Sequence, residues 1–476
     1  MSRKSSQKKK WLLFTLRWTV AIVGIWYVVS QISWRDQAMV IVVNDIPVKV
    51  RLWQPAEENA AVVSILDPVT GQVREIDRSR LVNEADRQSA ELLESDATFR
   101  KVPVLAVDLS DDLEKVERVL INAGNVEQPR GEWVEPSRIR GGYDVDVPYP
   151  LIQTGLRHMV RNADPIFLWA AVFIFPVTFI ITGLRWHSLL RALDINLGVV
   201  RASIINMVGA FYNTFMPGST GGDVLKAYYA AKFAHKMRTR AVMSVLVDRA
   251  IGLVALIILG GSMAAYQWNE PACRRVALGS LAICTLLAVG SIVFFNPTLR
   301  RVTGLDFLLR RLPMQTQVNK AVESLEIYRR RPSLVLGTLF ISFPVHITVI
   351  LSAALAGRAF ELPLDFTDYW YIVPVIVLAG ALPISPQGAG VMEFFAIQLT
   401  RSHGCTVAQA FALTMSIRLV QILWNLVGGI FVLRGGYHAP TEREKNELSS
   451  EADTLPNDGD LASTTRAGPA PHSLSP

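Results

Sequence analysis

Three cysteines in 476 residues are too few for a disulfide framework, and Cys284 lies inside an apolar run while Cys273 and Cys405 are far apart. The histidines at positions 158, 187, 235, 346 and 403 form no pair three or four residues apart. Paired cysteine spacings are absent too, so neither a metal nor another cofactor is expected. Ser219, Ser385 and the cysteines have no base beside them in sequence, which leaves nucleophilic catalysis without support. Charge is scarce as well. Only 19% of residues are charged, against roughly 25% in soluble domains. Half are hydrophobic and mean hydropathy is +0.29, which argues against a fully soluble enzyme.

What the chain has in quantity is apolar runs long enough to cross a bilayer, for which about 20 residues suffice as a helix. They fall at 11–30, 166–184, 202–216, 242–266, 276–295, 333–357, 369–383 and 407–433. The first follows the basic start MSRKSSQKKK and is interrupted by Arg17. It has no small-residue cleavage site after it, so it reads as an anchored helix rather than a signal peptide.

The net charge of +7 conceals an uneven distribution. Residues 35–150 carry −8 and the tail 435–476 carries −4, leaving +19 on the rest. A basic chain can point to nucleic acid. Here the positive charge borders apolar runs, so the expected partner is an anionic membrane surface and not nucleic acid. Lysine and arginine in short connecting segments set direction. Segments 2–10, 185–201, 226–240 and 296–332 carry five, three, five and eight, whereas 267–275, 358–368 and 400–406 carry two, one and one. The pattern places both termini in the cytoplasm and 35–150 outside, in a multi-pass protein; a bacterial-type cytoplasmic membrane is the expected location.

The expected organisation is a basic start and first span over 1–34, an insertion over 35–150, a multi-span domain over 151–434, and a disordered acidic cytoplasmic tail over 435–476. The fold class is an all-α polytopic membrane protein with about seven to eight spans. Two re-entrant Gly/Pro-broken segments and a small α+β extracytoplasmic insertion complete it. Within the insertion, MVIVV and IPVKVRLW predict a hairpin, VVSILDP and GQVREI another, and VPVLAVDL a further strand. RLVNEADRQSAELLE and DDLEKVERVLINAG show helical spacing. The insertion has no catalytic cluster, and an envelope protein is a candidate partner for it. YPLIQTGLRHMVRNA, residues 149–163, is suited to lie amphipathically on the outer surface.

Two broken segments carry the functional expectation. In FYNTFMPGSTGGDVLK, the run 202–216 stops at Pro217. Because the segments on both sides are basic, the stretch between them crosses an even number of times, as a cytoplasmic re-entrant hairpin does. In ALPISPQGAGVMEFF a related break enters from the other side. Non-helical backbone in a membrane must be buried in protein or line a wet cavity, and opposed breaks of this kind are the discontinuous helices of transporters. Plain kinked helices are the alternative.

The glycines Gly218, Gly221 and Gly222 allow close backbone approach to a ligand, and the helix after them offers free N–H groups to a phosphate. GSTGGDVLK lacks the Gly-Lys-Ser/Thr of a nucleotide-binding P-loop. Asp223 lies at that helix start and Lys226 one turn on; capping is the simpler reading of Asp223. Gly388 and Gly390 precede Glu393, whose simpler reading is electrostatic support of a helix start. Arg249 and Arg418 interrupt apolar runs and either snorkel or pair within the protein. Asn213 and Asn425 are suited to hydrogen bonds between helices.

NTFMPGSTGGD at 213–223, SVLVDRAIGL at 244–253 and LPISPQGAGVMEFF at 382–395 together resemble the transmembrane region of lysylphosphatidylglycerol synthases, also called the flippase-like domain family. ISWRD after the first run resembles the family's hydrophobic-Trp-basic/acidic step. The resemblance covers about 11–34 and 165–434. It implies a multi-span inner-membrane protein acting on lipids. Some members are implicated in moving aminoacylated phospholipid between leaflets, and others accompany glycolipid or polyprenyl-phosphate pathways. The bifunctional synthases carry a large soluble aminoacyl-transfer domain after the membrane part, where this chain has about forty polar residues. The insertion at 35–150 is a second departure from the family.

The expected function is therefore a flippase-like translocator of a phospholipid or lipid-linked head group. Its partner is an anionic phospholipid or lipid-linked substrate in the bilayer. The expected contacts are Asn213, Gly218, Gly221, Gly222, Asp223, Lys226, Arg249, Gly388, Gly390, Glu393 and Arg418. A membrane-bound lipid or glycolipid transferase, or its accessory subunit, and a non-transporting envelope scaffold are the alternatives. With no catalytic residue assigned, the balance leans away from an enzyme and leaves that question open.

Overall fold

The computed structural model describes residues 32–435 and 437, together with positions 19, 22, 23, 26, 29 and 30. Excepted are 44–45, 56–60, 68–69, 85–88, 94–97, 110–115, 125–129, 141–149, 216–220, 235–236, 270, 312–314, 382–384 and 386–387. The expected first span at 11–30 lies mostly outside the described residues, and the expected disordered tail almost entirely so.

The expectation of a small α+β insertion is overturned. Residues 37–140 build an antiparallel sheet which, with a short strand at Ile152–Gln153, has eleven strands in the order β10 (Ile139–Arg140), β6 (Ser89–Leu93), β7 (Phe99–Leu109), β5 (Leu81–Glu84), β1 (Gln37–Val43), β2 (Ile46–Leu52), β3 (Val62–Leu66) and β4 (Val73–Asp77). β8 adds to β7, β9 to β8, and β11 (Ile152–Gln153) to β1. The predicted hairpins form, β1 (Gln37–Val43) with β2 (Ile46–Leu52) and β3 (Val62–Leu66) with β4 (Val73–Asp77). Both stretches with helical spacing are strands instead. RLVNEADRQSAELLE contains β5 (Leu81–Glu84) and β6 (Ser89–Leu93), and DDLEKVERVLINAG contains β8 (Val116–Asn122). Sheet pairing decides this, because β8 lies between β7 (Phe99–Leu109) and β9 (Gly131–Val134) and buries Val119, Leu120 and Ile121 in succession. Its charged position Arg118 meets Asp108 across the ladder at 2.5 Å.

The remaining chain is helical. α1 (Leu156–Asn162) leads into α2 (Pro165–Ile174) and α3 (Val177–Ala192), which run on as one 28-residue apolar helix. Asp164 caps its start, accepting from Ile166 N–H at 2.8 Å, and Pro165 takes the first position. α4 (Val199–Phe215) and α5 (Gly221–Phe233) form a hairpin. α6 (Arg238–Tyr266) and α7 (Pro271–Phe295) pack together. Three shorter helices follow, α8 (Pro297–Val302), α9 (Leu305–Arg311) and α10 (Gln315–Arg329), before the long α11 (Pro332–Ala359). A second short hairpin, α12 (Tyr369–Ala381) and α13 (Val391–Thr400), precedes α14 (Val407–Leu433).

Among the described residues, five helices are long and apolar enough to cross a membrane: 165–192, 238–266, 273–295, 332–359 and 407–433. Of the seven to eight spans expected, these five are found among the described residues, and the one at 11–30 lies mostly outside them. Leu281, Leu286, Val289 and Ile292 of α7 are exposed, as side chains facing lipid are. The hairpin helices, with 17, 13, 13 and 10 residues, are not among the five. Both hairpins pack inside the frame, α4 and α5 against α3, α14 and α6, and α12 and α13 against α6 and α14.

Candidate functional site

Close approach builds the first hairpin. Gly222 of α5 faces Gly209 of α4 so tightly that a Cβ on Gly222 would lie 1.9 Å from the Gly209 carbonyl oxygen. Asn213 accepts from the Gly222 N–H at 2.7 Å, satisfying one donor at the start of α5. Gly221 opens that helix, while Gly218 lies outside the described residues. In the second hairpin, Gly388 and Gly390 adopt φ of +67° and +80°, a region that favours glycine. The Glu393 carboxylate accepts from the Gly390 N–H at 2.7 Å, so the helix-start role read for it is real. It is not Glu393's whole role, because Arg418 Nη2 of α14 lies 2.8 Å from its other oxygen.

Between the hairpins is a cavity of about 420 Å3. Asp223, Lys226, Arg249 and Arg418 line it together with Arg185, Asp248 and His346. Asn213 lines it too, as does Met392 beside Glu393. Its polar wall consists of two connected sets of charges.

The first centres on Asp248 of α6. Its Oδ1 accepts from Arg185 Nε at 2.7 Å, and its Oδ2 from Lys226 Nζ at 2.8 Å. Arg185 also donates to Ser342 of α11 at 2.9 Å, and Lys226 to Asn206 of α4 at 3.1 Å. The Lys226 ammonium sits 4.2 Å from the Trp186 ring centroid. All three charges are buried, and five helices, α3 to α6 and α11, are tied by side chains that no lipid could satisfy.

The second set joins the hairpin tips. Arg249, one residue after Asp248, pairs with Asp223 at the start of α5. Its Nη2 also donates to the Ala381 carbonyl at the end of α12, at 3.3 Å. Neighbouring residues on a helix point about 100° apart, so Asp248 and Arg249 serve different partners. Asn425 Nδ2 of α14 donates to Thr214 of α4 at 2.9 Å, bridging helices.

Taken together, four cations (Arg185, Lys226, Arg249, Arg418) meet three carboxylates (Asp223, Asp248, Glu393). One positive charge is in excess. The His346 ring Nε2 faces the Gly252 carbonyl at 2.9 Å, which fixes it as a donor there. No group of three or more potential metal ligands occurs among the described residues.

Arg185, Asn206, Asp248, Ser342 and His346 were not among the expected contacts. In sequence Arg185 opens the basic stretch 185–201, yet it lies inside α3, which continues to Ala192. The usable signal was in the run itself: Arg185 and Asp248 are ionisable residues in apolar helices, where a partner is obligatory.

A family model described as "Lysylphosphatidylglycerol synthase TM region" matches residues 153–429. The match takes in the five apolar helices almost whole and both hairpins, and leaves the sheet up to β10 outside. The chain is 21% identical over 313 residues to a UPF0104 membrane protein of Pyrococcus horikoshii, covering 60% of this chain and 91% of that relative. It is 22% identical over 284 residues to a UPF0104 membrane protein of Methanothermobacter thermautotrophicus, covering 55% and 82%.

Proposed function

This chain belongs to the lysylphosphatidylglycerol synthase TM-region family, and from that premise we propose that it translocates a lipid with a phosphodiester head group. The observation carrying this reading is the single positive charge in excess around the cavity between the hairpins. A phosphodiester brings one negative charge and balances it. The cavity, at about 420 Å3, lies within the range of roughly 300–1,000 Å3 typical of small-ligand sites.

Arg249 is the group that meets the phosphate. A guanidinium offers paired donors to two phosphate oxygens, and Arg249 now spends them on Asp223 and on a backbone carbonyl. Phosphate binding displaces Asp223, which turns to a cationic group on the lipid where there is one, such as an aminoacyl ammonium. The same exchange unfastens the tip of one hairpin from the other, giving the head group a route through. Asp248, held from both sides, stays as a fixed post, and Glu393 holds Arg418 against the second hairpin. In this reading the hairpins enter from opposite faces, the sheet lies outside the cytoplasmic membrane, and 226–240 and 296–332 lie inside.

Purified full-length protein in liposomes tests this. Fluorescent phosphatidylglycerol is placed in both leaflets, and a membrane-impermeant quencher reads exchange between them. Translocation without a new lipid species is the expected result. Appearance of a new lipid makes the protein a transferase, and neither outcome leaves a scaffold.

A further inference from the structure

A second cavity, of about 470 Å3, lies where the sheet meets the helical part, away from the charged core. Two stretches of chain build it. Ser33–Asp36 follows the first apolar run, and α1 precedes the 28-residue apolar helix that starts at Pro165. Backbone bonds tie them, Leu156 N–H to the Ser33 carbonyl at 2.9 Å and Arg157 N–H to the Trp34 carbonyl at 3.3 Å. Gly155 permits the contact, since a Cβ there would lie 2.3 Å from the Arg35 carbonyl carbon. Asp36, only 5% exposed, fixes the joint. It accepts from the Gly155 N–H at 2.7 Å and pairs with His158 Nδ1 at 2.6 Å. Leu52 N–H donates to the Asp36 carbonyl at 2.8 Å, which brings the end of β2 and Trp53 to the rim.

The lining includes Trp34, Arg35, Asp36, Trp53, Arg157 and Arg161. Asp36 is the cavity's one carboxylate, and it is fully engaged. Among the described residues Arg35, Arg157 and Arg161 make no ion pair, and Arg35 lies over the Trp53 ring at 5.8 Å. Arg157 and Arg161 are four apart and share one face of α1. Pro165 begins the apolar helix four residues after Arg161, so the cavity sits at the level where tryptophan and cationic side chains meet lipid head groups.

We infer that this cavity is a binding site for a net-anionic phosphate head group, separate from the core cavity. Three arginines line a space whose one carboxylate already has a partner on each oxygen, and guanidinium forks match phosphate oxygens two at a time. The two tryptophans supply flat apolar walls at the head-group boundary. Trp34, Arg35, Asp36 and Trp53 lie outside the stretch 153–429 shared with the family, so this site is built jointly by the sheet segment and the membrane part.

The test uses the full chain in phosphatidylcholine nanodiscs doped with phosphatidylglycerol bearing a photoreactive group on its glycerol head. Crosslinked peptides are mapped by mass spectrometry. The expected label falls on peptides spanning 34–55 and 157–162, saturates with dose, and is competed by plain phosphatidylglycerol. Arg157→Gln with Arg161→Gln lowers it about tenfold, the loss of charge-assisted contacts worth about 1.4 kcal/mol, while any label on 244–256 in the core stays unchanged. Both arginines are exposed, and Arg35→Gln gives an independent second variant expected to act in the same direction. Competition by orthophosphate as strong as by lipid assigns a soluble phosphate as occupant, and failure of orthophosphate to compete assigns the lipid. Label that rises without saturation, or that is untouched in both variants, overturns the site and reduces the arginines to a general attraction for anionic membrane.

Discussion

Lys226 and Asp248 come from different helices, and their Nζ and Oδ2 atoms stand 2.8 Å apart, both side chains buried. Arg185 takes the other oxygen of the same carboxylate, so one acid holds two bases. Removing a partner from a buried ion cluster leaves uncompensated charge, at a cost on the order of 3–5 kcal/mol. The two ends of this cluster are not equivalent, however. Asp248→Asn leaves two cations with no counter-charge, whereas Lys226→Met leaves an intact Arg185–Asp248 pair still bonded to Ser342. Asp248→Asn is expected to lower thermal stability in detergent markedly and Lys226→Met much less. The opposite order, read by unfolding of the purified variants, would remove Asp248 as the centre.

What the sequence revealed and what it hid follow from the range of the interactions. Apolar runs are local, and those at 166–184, 242–266, 276–295, 333–357 and 407–433 coincide with the five long helices. Arg249 and Arg418 stood out because charges in such runs need partners, and the structure pairs them with Asp223 and Glu393. Asp248 did not stand out beside Arg249, because only the helix rotation separates their roles. Ser342 and His346 were invisible, since their contacts cross 157 and 94 residues of chain. The sheet defeated helical spacing for the same reason: β8 owes its conformation to strands on either side of it.

Arg249 links the tips of both hairpins, to Asp223 in one and to the Ala381 carbonyl in the other. Arg249→Lys keeps the charge but has a single ammonium in place of a planar fork. It is expected to slow translocation while the protein still inserts. Spin labels at exposed Val224 and Phe394 provide a second readout. Their distance distribution should broaden in Arg249→Ala relative to the parent. An unchanged distribution would show that the tips are held by packing alone.

Gly222 makes a steric prediction rather than an electrostatic one. A side chain there enters the space of the Gly209 carbonyl and of Asn213, neither of which can move without parting α4 from α5. Gly222→Val is therefore expected to abolish translocation and to lower membrane abundance, while Asn213→Ala removes one capping bond, a loss of about 1 kcal/mol, and leaves abundance near normal. Immunoblots of membrane fractions compare the two, and normal abundance of Gly222→Val would mean that the hairpin is looser than its geometry requires.

The sheet has its own apolar clusters, one around Val40, Val50 and Ile65 and another around Val104, Val119 and Ile121. Its burial is thus largely internal. Replacing 38–145 with a short polar linker is expected to leave the helical part inserted, because Asp36, Gly155 and His158 remain to hold the joint. Membrane-inserted protein at parental abundance is the predicted outcome. Its complete loss would make the sheet part of the same folding unit.

Glu393 and Arg418 offer a separation of stability from activity. Glu393 is buried with one oxygen on the Gly390 N–H and the other on Arg418. Glu393→Gln can keep the first bond through its amide oxygen, but it strips the counter-charge from Arg418. Arg418→Ala does the reverse and leaves a buried carboxylate without its counter-charge. Both single variants are expected to insert and to lose translocation. The double variant Glu393→Gln with Arg418→Met removes both charges together and should regain thermal stability relative to Arg418→Ala, since replacing a buried pair by neutral groups is often nearly neutral. It should not regain transport: the excess of one positive charge is kept, but the Arg418 guanidinium is missing from the cavity wall. Liposome translocation at matched protein content decides the matter: wild-type rates in the double variant would show that this pair only braces the second hairpin.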